Sequence, residues 1–167
     1  FFIWYNSCMK IYTIDNKNEE KFLREPSEDV TLDELKSKDL KIFLGEFLHT
    51  AKTVMTQEGY SAAGLAAVQV GLHKNIFCIL KEGTQEFEVM INPSIKVIKD
   101  EKIIDTEGCL SVPKREGKVE RYKKIKVKYL DRDGKIKKGV FSNQEAREIQ
   151  HEYDHTKGVL FIDKLID

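Results

Sequence analysis

Residues 150–155 read QHEYDH: two histidines four apart, with a glutamate directly after the first. Positions i and i+4 share one face of an α-helix, so on a helix His151 and His155 would turn their rings the same way. The flanking residues favour that reading. Ser142 and Glu145 have the S-x-x-E spacing of a capping box in "SNQE", and Ala146, Ile149 and Tyr153 supply an apolar stripe. Gly158 stands where a C-terminal cap belongs. The stretch therefore lies about two turns into a helix.

Working outward, residues 76–141 change period. Short β-branched runs ("IFCIL", "FEVMI", "IKVI", "KIID", "IKVKYL") alternate with turn residues. "DRDGK" at 131–135 has the composition of a hairpin turn between "IKVKYL" and "IKKGVF". Further upstream, Leu40, Phe43, Leu44, Phe47, Leu48, Ala51, Val54 and Met55 recur at helical steps, closed by Gly59. Gly45 inside that helix costs about 1 kcal/mol of propensity, so either something packs closely there or the helix is weaker. Residues 10–39 are charged and irregular. The order helix, strands, helix predicts one α+β domain over residues 1–167, with antiparallel sheets packed around a central helix that carries H-E-x-x-H.

Lys+Arg and Asp+Glu both number 28, which argues against a nucleic-acid or anionic-membrane binder. The lysines at 123–128 and 135–138 read as solvated faces of strands. Three cysteines without a CxxC pair fit a reducing compartment better than a disulfide framework. Cys78, in "NIFCIL", reads as core. No run approaches the roughly 20 apolar residues of a membrane span. The reading is cytoplasmic, or an organelle if an upstream presequence was lost. Residues 1–8 are expected to be a fragment or non-native, with Met9 as the initiator.

H-E-x-x-H has the spacing of zinc metalloproteases, where the glutamate is the general base. It fixes only three positions, so a chance match on a solvated helix stays open. A catalytic site wants a third protein ligand and an open position for water. Downstream, only Asp163 and Asp167 are available. Upstream, the thiolate of Cys109 in "EGCLSVP" would be a strong ligand, although that segment alone reads equally as a buried free cysteine. His49 and His73 read as a helix-surface and a loop residue.

Three segments then fall together. "GLAAVQVG" (64–71), "EGCLSVP" (107–113) and "QHEYDH" (150–155) resemble the signature motifs of peptide deformylases, in the same order and at compatible separations. "GVLFID" (158–163) is similar to that family's ending, and "FLREPSEDV" (22–30) is compatible with its amino-terminal segment. The family removes the N-formyl group from the initiator methionine of new polypeptides. The resemblance implies that Cys109, His151 and His155 hold one divalent metal, Fe(II) natively, with Zn, Ni or Co able to occupy the site. It implies that Glu152 acts as general base and acid on water at the metal. The Gln69 side-chain amide and the Leu110 backbone N–H would be the oxyanion donors. Ala63, Gly64, Glu107, Gly108 and Glu148 are expected around the substrate, with Glu107 orienting "GCL" through an ion pair with Arg121. The implied partners are N-formylated nascent peptides, with room for transient association with the ribosome. No specific nucleic-acid or membrane binding is expected.

The sequence departs from the family pattern in places. Ala62 replaces the first glycine of G-x-G-L-A-A, and Thr156 replaces a leucine, which should alter only packing. Glu148 occupies a usually apolar position near the methionine pocket. An ionised carboxylate there is costly unless paired, so it should turn outward, find a cation, or change which side chain is accepted. The sequence ends on "FIDKLID", and no long carboxy-terminal helix is expected. Two other functions compete: an H-E-x-x-H metallopeptidase, which would leave Cys109 and Gln69 unexplained, and a non-catalytic metal-binding relative.

Overall fold

The structure, a computed structural model, describes residues 8–54 and 63–166. Met55, Gly59, Ala62 and Asp167, each part of an expectation above, lie outside them. The elements run α1 (Lys17–Leu23), α2 (Leu32–Lys36), α3 (Lys38–Thr53), β1 (Gly64–Ala66), β2 (Ile76–Leu80), β3 (Phe87–Val97), β4 (Lys102–Cys109), β5 (Val112–Tyr122), β6 (Lys124–Leu130), β7 (Ile136–Ser142) and α4 (Asn143–Thr156). Short 3-10 turns follow β1 (Ala67–Val70) and close the described chain (Phe161–Lys164).

The strands form two antiparallel sheets, one ordered β1-β2-β3-β6-β7 and the other β4-β5. The large sheet lies between two helices. Ile76, Cys78, Val89 and Ile91 face Leu40, Leu44, Phe47 and Ala51 of α3. Phe77, Ile79, Met90, Ile125 and Val127 pack with Ala146 and Ile149 of α4. β2 is covered on both sides, which is why "IFCIL" is apolar at every position instead of alternating. The α+β architecture with a central α4 is the one the sequence predicts. Cys78 is fully buried, and the lysines of β6 alternate outward with Ile125, Val127 and Tyr129 inward.

Several local expectations are revised. α1 and α2 occupy the stretch read as irregular; α2 carries a complete capping box at Thr31 and Glu34. "FEVMI" and "IKVI" are one strand, β3, interrupted by a bulge between Ile91 and Ser94. β5 has no counterpart among the sequence runs. Among the described residues nothing packs near Gly45, which is exposed, so the helix there forgoes propensity without a packing return. Ser142 is the N-cap of α4, but the capping box is absent. The chain enters the helix through Asn143 at φ +53°, and Glu145 instead accepts from the backbone N–H of Glu82 at 3.1 Å. At the other end the expectation holds. Gly158 adopts φ +73°, donating to His155 O, while Val159 N donates to Asp154 O at 3.0 Å. That is a Schellman ending, which fixes the last turn of the helix directly after His155.

Candidate active site

The two histidines and Cys109 reach one point from different elements. His151 and His155 project from one face of α4, their ring centroids 5.1 Å apart. Cys109 is the last residue of β4, ahead of the two-residue turn Leu110–Ser111 into β5. One ligand atom from each of the three lies within 4.8 Å of the others, and Cys109 Sγ is 3.3 Å from His155 Nε2. Tetrahedral ligation at about 2.0–2.3 Å per bond needs donor separations of about 3.3–3.8 Å, which the Cys109–His155 pair already has. Asp163 is elsewhere: it accepts from Leu160 N and pairs with Arg24.

Glu107 lies behind His151. Its carboxylate accepts from Arg121 Nε and Nη2, both at 2.9 Å, and from Arg147 Nη1 at 2.6 Å, and it meets His151 Nδ1 at 2.9 Å. The expected pair with Arg121 is present, and both oxygens are fully engaged, so Glu107 supports the histidine and not an open surface. With Nδ1 held by the carboxylate, Nε2 of His151 is left to face an ion, the arrangement that fixes a ligand imidazole. Burial pushes the Glu107 carboxyl up, but Arg121 and His151 outweigh it and hold it well below the usual carboxylate range. Burial lowers His151, yet the Cys109 thiol and Glu107 raise it on balance; burial and His151 push His155 down.

Glu152 is 3% exposed, and its Oε2 has no hydrogen-bond partner among the described residues, which leaves that oxygen to a water or a substrate. Burial pushes its carboxyl up to about 8, His151 opposing and Glu148 reinforcing. The carboxylate lies directly on Gly64: a Cβ there would stand 2.6 Å from Oε1. β1 can bring its backbone this close only because the residue is glycine. Ala63, beside it, is half-buried and accepts from Leu80 N. Gly108 is exposed, and a Cβ there would meet Glu116 at an ordinary 3.6 Å.

Gln69 is 2% exposed. Its Oε1 accepts from Ala66 N at 2.8 Å, which turns Nε2 toward Ser111 Oγ (3.0 Å) and Cys109 Sγ (3.6 Å). The amide is thus oriented with its donor at the thiol. Leu110 follows Cys109 in the hairpin turn and packs partly buried against the α3 cluster. Glu148 is half-buried and accepts from Gln144, a neutral partner; burial raises its carboxyl. Among the described residues it forms no ion pair, so of the three alternatives the paired cation is not found. Thr156 is buried and donates to Tyr153 O, a packing role. Of the peripheral histidines, His49 is exposed on α3 and His73 stacks on Phe22 in a loop.

Arg147, Ser111 and Asp154 were not singled out from sequence. Arg147 is 4% exposed and Asp154 pairs with Arg121 and Lys164. The available signal was position: Arg147 is one turn before His151, on the face that carries the ligands.

The donor set, one thiol and two imidazoles around a common point with a buried carboxyl beside them, suits a divalent metal. Comparison with known proteins agrees. The Polypeptide deformylase family model matches residues 9–167. The peptide deformylase of Caldanaerobacter subterraneus subsp. tengcongensis is 44% identical over 117 residues, 70% of this chain and 69% of that one. The Fusobacterium nucleatum peptide deformylase is 36% identical over 155 residues, 93% and 84% of the two chains. Among solved structures, the peptide deformylase of Thermotoga maritima superposes with a TM-score of 0.81 at 31% identity, covering 96% of this chain and 99% of that one. The actinonin-bound class I type b enzyme of Acinetobacter baumannii gives 0.80 at 31%, covering 95% and 99%. On the motifs, the fold and the assembled cluster, the chain belongs to the peptide deformylase family.

Proposed function

We propose that the chain carries out its family's metal-dependent removal of the N-formyl group from nascent polypeptides with Cys109, His151 and His155 as the metal ligands and Glu152 as general base and acid. The observation that carries this reading is the convergence of three ligand atoms within 4.8 Å beside a buried carboxyl oxygen that has no partner among the described residues. When bound, the metal supplies Lewis acidity that activates water and polarises a carbonyl. Fe(II) is the proposed native ion, with Zn, Ni or Co able to replace it. Glu152 accepts the proton of the attacking water and then passes it to the leaving amine. The Gln69 amide and the Leu110 N–H donate to the oxygen that gains charge as the formyl carbon becomes tetrahedral. His151 is held in one tautomer and orientation by Glu107. We assign the reaction to the cytoplasm, or to an organelle if an upstream presequence was lost, on N-formylated nascent chains, with room for transient association with the ribosome.

The test is formate release from formyl-Met-Ala-Ser by protein purified anaerobically, with metal analysis of the same sample and unformylated Met-Ala-Ser as the comparison. About one metal per chain and turnover of the formyl peptide alone is expected. Cleavage of the unformylated peptide would make it a peptidase; metal without turnover would make it a binding relative.

Two further expectations attach to single residues. Gly64→Ala should displace the Glu152 carboxylate by an ångström or so. A displacement of about 1 Å can cost 10²-fold in rate, so kcat should fall by about that factor with metal content unchanged. Wild-type turnover in that variant would show that the carboxylate has room to move. Glu148 precedes Glu152 by one turn on the same helix face and, among the described residues, has only neutral Gln144 as a partner. Glu148→Val should raise kcat/KM for formyl-Met and formyl-Leu peptides relative to formyl-Lys by about tenfold, the scale of a one-group change in an apolar pocket. An unchanged ranking of the three substrates would place Glu148 outside the substrate's reach.

A further inference from the structure

The three proposed ligands come from two separate bodies: the histidines from α4, Cys109 from the end of the β4–β5 hairpin. Something must hold those bodies at ligand distance, and the hydrogen bonds between them show what does. Gln150 bonds both Tyr122 N (3.0 Å) and Tyr122 O (2.8 Å), and Asp154 pairs with Arg121; all of these contacts are on β5. β4, the strand that ends in Cys109, is bonded from α4 differently. Apart from the two histidines themselves, the α4 side chain that reaches it among the described residues is Arg147. Its Nη2 donates to Ile103 O at 2.7 Å and its Nη1 to Glu107 Oε1 at 2.6 Å, while Nη1 also donates to Val119 O of β5 at 3.1 Å.

We propose that Arg147 is a positioning residue for the metal centre: it clamps β4 to α4 and so sets the distance between Cys109 and the two histidines. The inference rests on the ligand set proposed above. The chemistry of the guanidinium makes the role specific. Its planar fork of donors serves three acceptors on two strands at once, which a lysine ammonium on a flexible stem cannot do in the same geometry. Its side chain is 5% exposed, so no water replaces the lost bonds readily. Position adds leverage. Arg147 bonds Glu107 two residues before Cys109, and it sits four residues before His151, so it joins the two ligand-bearing segments close to both ligands. Glu107 links them as well, but it accepts from Arg147 at the same oxygen that Arg121 Nε uses. Loss of Arg147 therefore frees β4 at Ile103 and weakens the anchor at Glu107 together.

The test uses the full chain loaded with cobalt(II). Three quantities are read: the thiolate-to-cobalt charge-transfer absorption, the rate of cobalt release to excess EDTA well below the unfolding temperature, and the unfolding temperature itself. Arg147→Met preserves length and apolar packing; Phe47→Leu, a buried α3 residue outside those assigned to the site, serves as the stability control. Arg147→Met should release cobalt about 10–100-fold faster than wild type with a perturbed thiolate band, the loss expected when a partner behind a ligand is removed. Phe47→Leu should release at the wild-type rate. Arg147→Lys should fall between Met and wild type, and it carries the same comparison if the methionine variant does not fold. Release by the Arg147 variants at the wild-type rate, or equal acceleration by Phe47→Leu, would overturn the proposal. A wild-type protein with no thiolate band would overturn the ligand set, and the Arg147 role with it, which separates the two failures.

Discussion

Glu152→Gln is expected to lower deformylation by about 10²–10⁴-fold while the metal content stays at the wild-type level. The substitution keeps the size and shape of a side chain wedged against Gly64, so the glutamine fits where the glutamate was. It removes the ability to accept a proton from water, and that is the step the base contributes. The ligands are untouched, because Glu152 itself is outside the converging group of Cys109, His151 and His155. Stability offers an independent readout. In the metal-free protein, burial holds the Glu152 carboxyl at about 8, well above its ordinary 4.5. The folded state then binds a proton that the unfolded state releases, so stability falls as pH rises from about 4.5 to about 8. Glutamine does not titrate. The metal-free variant should lose that decline and unfold at a temperature equal to or above wild type at pH 8, measured by thermal denaturation across the pH range. Metal lost in parallel with activity would make Glu152 a structural residue instead of a base.

How far the sequence can be read depends on what each element buries. α3 and α4 were legible because their apolar residues recur at helical spacing against the sheet, and β2 because both of its faces are covered. β5 was not. In "VPKREGKVERY" only Val112, Val119 and Arg121 are buried, and the strand is held by its pairing with β4, a long-range contact that leaves no local period. α1 and α2 are short, with two buried residues in α1 and none in α2, so their caps and not their periodicity define them. At the site, the H-E-x-x-H spacing and the neighbouring motifs pointed to the ligands, because helical geometry places i and i+4 together. Arg147 and Ser111 act through partners 28 to 44 residues away. An arginine on a polar helix reads as solvated until the strands that cover it are in place.

Cys109→Ser should abolish stable metal binding and activity together. The thiolate is the softest and the only anionic member of the proposed set; a serine hydroxyl stays protonated at neutral pH and offers a weak, harder oxygen. Two neutral imidazoles on one helix would remain, fewer than the three protein ligands of a catalytic site. The loss should exceed the 10–100-fold typical of partners behind the ligands, because a direct bond to the ion is removed. The fold should survive. Cys109 is half-buried, its neighbours Ser111 and Gln69 keep their own bond at 3.0 Å, and the β4–β5 ladder does not involve the thiol. His151→Ala should behave alike for the metal but differ in stability. It also strips a partner from Glu107 Oε2, which then relies on Arg121 alone at that oxygen. Elemental analysis, formate release and thermal denaturation on the same preparations separate these cases. If Cys109→Ser keeps both metal and turnover near wild type, the thiol is not a ligand, and the approach of Gln69 Nε2 and His155 Nε2 to it reflects packing alone.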